Sequence, residues 1–72
     1  MTFVANCAWR ANWNAVSGAN HYVVRDTLGA EQSVTVNQAY VSCPLNNQNA
    51  NKPRWVKACT TAGSCSTTVS FP

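Results

Sequence analysis

The sequence predicts an all-β domain, a small antiparallel β-sandwich stapled by disulfide bonds. Three observations predict it. Apolar residues alternate with polar ones over short stretches rich in β-branched and aromatic side chains, the period of a half-buried strand. Clusters of Gly, Asn, Ser and Pro separate those stretches at short intervals. The chain has 72 residues and four cysteines. At that size a hydrophobic core barely offsets the entropy of ordering the chain, so covalent staples are expected. Residues 1–72 are read as a single domain.

The elements follow in order. Trp9, Ala11 and Trp13 share one parity and Ala8, Arg10 and Asn12 the other, which marks a strand of about seven residues. Ser17-Gly18-Ala19-Asn20 is a turn cluster. Tyr22 and Val24 then alternate with His21, Val23 and Arg25. Leu28-Gly29-Ala30 turns the chain, Ser33 to Val36 form a short strand, and Asn37-Gln38 interrupt it. Tyr40 to Cys43 form the next strand, ended by Pro44. Asn46 to Lys52 form an amide-rich loop, closed by Pro53 and expected to be solvated. Arg54 to Cys59 form a strand, Thr60 to Ser64 a hairpin loop with Gly63, and Cys65 to Phe71 the last strand. By parity the core is expected to hold Trp9, Trp13, Tyr22, Val24 and Val56.

Composition excludes several classes. Charged residues make up 10% and hydrophobic ones 46%, the reverse of a disordered chain. No apolar run approaches the ~18 residues of a membrane span, so membrane insertion is not expected. The net charge of +3 reflects scarce acids; Lys and Arg are scattered, and no nucleic-acid partner is expected. Met1-Thr2-Phe3 opens into polar and aromatic sequence, so an exported form is expected to be a mature chain or an excised piece.

The stretch Trp13-Asn14-Ala15-Val16-Ser17-Gly18-Ala19-Asn20-His21-Tyr22-Val23-Val24 resembles the fibronectin type III signature, a Trp on strand B followed by a turn and a Tyr-x-Val on strand C. Val56-Lys57-Ala58-Cys59 with Ala62-Gly63-Ser64-Cys65-Ser66 is similar to the F–G hairpin of that family, which bacterial secreted modules often show with such a cysteine pair. Val69-Ser70-Phe71-Pro72 looks like strand G running into a linker. The resemblance spans Trp9 to Pro72 and implies a fibronectin type III/immunoglobulin-like sandwich. Such modules run ~90 to 100 residues. Only twelve residues precede Trp13, so strand A is expected to be short or missing. The family's early strand F aromatic is lacking at Lys52 and Arg54, and no Arg-Gly-Asp motif occurs.

Sequence alone leaves three pairings of the four cysteines. Cys59 and Cys65 flank a loop of five residues, and a hairpin would set them opposite each other. Cys7 shares parity with Trp9 and Trp13. In the resembling architecture strands B and E are neighbours, so Cys43 on E would meet it. The expected bonds are therefore Cys7–Cys43 and Cys59–Cys65. The competing reading is a zinc site, but metal knuckles space their ligands about two to four residues apart, and these gaps are longer. No metal and no cofactor are expected.

Catalytic apparatus is not expected either. The chain has one His, His21, and two acids, Asp26 and Glu31, with no strained nucleophile turn and no Gly-rich phosphate loop. A binding face is a sharper expectation. If Tyr22, Val24, Val56 and Ala58 point inward, then His21, Val23, Arg25, Trp55 and Lys57 point outward. Strands C and F are neighbours in the resembling fold, which would gather the five on one face. An aromatic ring flanked by cations is a patch that binds a protein or carbohydrate partner. The plainer reading has the stems of Arg25 and Lys57 covering Trp55.

The expected role is a non-catalytic extracellular or cell-surface module, a spacer or interaction unit of a larger secreted protein. A second expectation is a self-assembling structural subunit, as in a surface filament or a phage decoration protein, joined through an unpaired sheet edge. A third is a small carbohydrate-binding domain built on Trp55.

Overall fold

The computed structural model describes residues 2–4, 8–43, 47 and 49–71. Among these, the regular elements are strands: β1 (Thr2–Val4), β2 (Ala8–Asn12), β3 (His21–Asp26), β4 (Glu31–Val34), β5 (Gln38–Ser42), β6 (Pro53–Cys59) and β7 (Val69–Ser70). They form two antiparallel sheets, ordered β1-β2-β5 and β4-β3-β6-β7.

The alternation seen in the sequence becomes the inner face. Tyr22, Val24 and Val56 of the larger sheet cluster with Ala39 of the smaller one, and Val24 is 1% exposed. Opposite residues of an antiparallel pair share a face. Ala11 pairs with Ala39 and Trp9 with Val41, which sets the inner side of the smaller sheet. Trp13 lies just past β2, partly buried against the cluster. Its ring meets Tyr22 edge-on, with centroids 5.4 Å apart, and lies tilted at 6.2 Å from Phe71. Asn37, between β4 and β5, holds its backbone: Trp13 N donates to Asn37 O at 3.2 Å, and Asn37 Nδ2 donates to Trp13 O at 2.9 Å. Trp9 is half-buried, with Lys52 Nζ 5.5 Å from its ring centroid.

Tyr22 also uses its hydroxyl, which accepts from Val16 N at 2.9 Å. This bond anchors the connection between β2 and β3. Tyr22→Phe keeps the ring contact with Trp13 and is expected to cost about 1 kcal/mol in a urea titration.

Three spans differ from the sequence expectation, each for a local reason. β4 is Glu31–Val34, not Ser33–Val36. The β3–β4 hairpin closes at Asp26, whose N donates to Ala30 O at 3.0 Å and whose Oδ1 accepts from Ala30 N at 2.9 Å. The three-residue loop ends on Gly29 at φ 89°, the left-handed position such loops require. That register starts the strand two residues early, and β5, at Gln38–Ser42, pairs along its length with β2. The last strand, expected over Cys65 to Phe71, is reduced to Val69–Ser70. Cys65 bridges Cys59, while Val69 pairs with Val56, so four steps on one strand face three on the other. The mismatch breaks the ladder, and Ser66 fills in. Its N donates to Ala58 O at 2.7 Å, and Ala58 N donates to its Oγ at 3.0 Å.

Third, Asn51 is buried at 4% exposure, although its amide-rich loop is expected to be solvated. Its Nδ2 donates to Asp26 Oδ2 at 3.1 Å and to Ser42 O at 3.0 Å, tying β3 of one sheet to β5 of the other.

Cys59 and Cys65 form a disulfide. Cys43 is disulfide-bonded as well. Its expected partner Cys7 lies outside the described residues, as does the expected strand end at Pro44.

Candidate functional site

The β3–β6 ladder decides which side chains meet on the outside of the larger sheet. Val24 pairs with Val56 and Tyr22 with Ala58, and these face the core. The intervening pairs are Val23 with Lys57, Arg25 with Trp55 and His21 with Cys59. Because side chains alternate along a strand, the latter set shares the opposite face. The structure therefore places His21, Val23, Arg25, Trp55 and Lys57 on one face of the sheet, while Cys59, opposite His21, is buried.

Trp55 is half-buried in that surface. Lys57 Nζ stands 5.7 Å from the ring centroid, within range of a cation–π contact. Arg25 lies directly across the ladder, exposed, with its Nη1 3.4 Å from Glu31 Oε2. Both charges are in water, so the pair contributes little to stability. His21 is half-buried, its Nδ1 3.3 Å from Asn20 Oδ1.

A β-bulge adds a residue that the alternation does not reveal. Arg25 pairs with Trp55 but Asp26 pairs with Pro53, so Arg54 is an extra residue in β6. A bulge re-aims the side chain it inserts. Arg54 is exposed and lines, with Arg25, Asp26, Thr27, Gly29 and Trp55, a hollow of about 320 Å³. Its guanidinium has no hydrogen-bond or ion-pair partner among the described residues. Asp26 is held in place by Ala30 N and Asn51 Nδ2, and the Thr27 hydroxyl donates to Lys52 O at 3.1 Å. Arg25 Nη2 lies 3.5 Å from where a Cβ on Gly29 would stand, so the guanidinium rests against the hairpin turn.

Sequence reasoning reaches Arg25 and Trp55 but misses Arg54, Asp26 and Thr27. The available signal is Pro53, because proline inside a strand marks an edge or a bulge. A second cavity, of about 260 Å³, lies along Trp13, Val16, Tyr22, Val56 and Val69, with Asn14, Lys57 and Ser66 also lining it. Its lining is mostly apolar.

The remaining chemistry is dispersed. His21 and Asp26 stand at the two ends of β3. Among the described residues, no three of His, Cys, Asp and Glu gather as a metal group, and no helix is long and apolar enough to cross a membrane. Compared with known proteins, the chain matches no family model, no curated protein and no solved structure.

Proposed function

We propose that this chain is a non-catalytic, fibronectin type III-like module of a larger secreted or surface protein, a spacer that meets a partner through the Trp55 face. The observation that carries the reading is the β3–β6 register. It puts one large aromatic ring between Arg25 and Lys57 on the outside of a sheet, not in the core. The sandwich assignment draws support from strand order: β2 beside β5 and β3 beside β6 answer to B–E and C–F, and β6 and β7 to the F–G hairpin. Work outside the cytoplasm draws support from the disulfides, which persist in oxidising compartments.

Self-assembly through the β5 edge is the weaker reading, because that edge is blocked. The carbonyls of Tyr40 and Ser42, alternate residues of this edge strand, accept from Gln32 Nε2 at 2.8 Å and Asn51 Nδ2 at 3.0 Å. These are the acceptors an added strand would need.

The test is oxidative footprinting of the folded chain mixed with extracellular-matrix or cell-wall extract. Trp55 is expected to be protected several-fold, while exposed Tyr40 on the other sheet stays unprotected. A Trp55→Ala variant that keeps its melting midpoint and all of its binding would remove the proposal.

A further inference from the structure

We propose that the hollow beside Trp55 is a subsite for one ring of a neutral saccharide. The inference rests on the reading of this face as the partner-binding one and gives that partner a chemical class.

Three properties of the hollow point the same way. The first is its mixture of donors and acceptors. Arg54 brings a guanidinium without a partner among the described residues, and Arg25 brings a second, paired to Glu31 at 3.4 Å. Asp26 brings a carboxylate fixed by one hydrogen bond on each oxygen, at 2.9 and 3.1 Å. Each carboxylate oxygen has a second lone pair free to accept. A hydroxyl both donates and accepts, so adjacent sugar hydroxyls satisfy guanidinium and carboxylate together.

The second is electrical neutrality. Asp26 and Glu31 are the only acids in the chain, and both stand at this hairpin with Arg25 and Arg54. The lining holds two guanidiniums and one carboxylate, and Glu31, outside the lining, offsets Arg25 through their 3.4 Å pair. An anion would gain from the arginines much of what it lost to the carboxylates. An uncharged polyol uses the three charged groups that line the hollow, Arg25, Arg54 and Asp26.

The third is size and floor. About 320 Å³ is the low end of small-ligand sites, which run from roughly 300 to 1,000 Å³. A stable protein partner instead covers about 800 Å² on each side. Half-buried Trp55 lines the hollow, and its ring is the apolar group there against which the C–H face of a pyranose would pack. Lys57 approaches the same ring but does not line the hollow.

The experiment titrates the isotope-labelled full chain with cellohexaose, chitohexaose and mannohexaose, each to about 10 mM, the range of weak sites. Inorganic sulfate and an oligogalacturonate serve as anion arms. At least one neutral hexasaccharide is expected to shift the Trp55 indole N–H and the Arg54 Nε–H. Trp55→Ala and Arg54→Ala are each expected to weaken binding by at least about tenfold, and Lys57→Ala by less than about twofold. Arg54 is exposed and outside the core, and unchanged Val24 and Tyr22 resonances verify that its variant folds.

Three outcomes overturn the proposal: no shift with any neutral hexasaccharide, shifts that survive Arg54→Ala, or a response to sulfate or oligogalacturonate alone. If the saccharides fail while the extract still protects Trp55, the face binds a different partner and only the saccharide assignment falls.

Discussion

Trp13→Ala is expected to abolish cooperative folding. The ring is the largest side chain against the core cluster, and it touches both Tyr22 and Phe71. Removing a buried aromatic costs about 3–5 kcal/mol, and a domain of this size sits near the low end of the roughly 5–15 kcal/mol range of stability. The variant should lose near-ultraviolet dichroism and resonance dispersion at room temperature. Trp13→Phe is the informative companion. Trp13 Nε1 is buried without a hydrogen-bond partner among the described residues, so losing it forfeits no bond. The phenylalanine variant is expected to stay folded with a loss below about 2 kcal/mol. An alanine variant melting within a few degrees of wild type would show that the core closes without the indole.

The second large effect comes from the Cys59–Cys65 crosslink. The double substitution Cys59→Ala, Cys65→Ala removes a short covalent loop, worth about 2 kcal/mol in the loop-entropy account. For a domain this small the melting midpoint should fall by about 10 °C. The Ser66 bonds to Ala58 should lose hydrogen-exchange protection first, because the crosslink holds that register. Strong reductant should act more severely than the double substitution, since Cys43 is also crosslinked. An unchanged midpoint under strong reductant would remove the staple argument.

How far the sequence carries can be judged residue by residue. Parity alone orders Tyr22, Val24 and Val56 against His21, Val23, Arg25, Trp55 and Lys57, because a strand has a period of two and a buried face enforces it. It fails where the period breaks. Arg54 sits in a bulge, and a single inserted residue leaves the run from Arg54 to Cys59 looking like an uninterrupted strand. The stretch from Cys65 to Phe71 reads as one strand for the same reason, although a one-residue mismatch divides it. Asn51 fails differently. Nothing local distinguishes it from the other amides of its loop; its burial depends on Asp26 and Ser42, distant in the chain and adjacent only once both sheets have formed. Trp9 shares the parity of Ala11 but ends half-buried, with Lys52 Nζ over its ring.

The amide caps on Tyr40 and Ser42 bear on how the domain behaves in company. Tethered copies in a row experience high local concentration, which drives strand exchange between neighbours wherever backbone acceptors lie open. Here the β5 rim of the smaller sheet is occupied from within its own fold, by Gln32 reaching over from β4 and Asn51 from the chain entering β6. Copies strung closely together would keep their individuality at that rim.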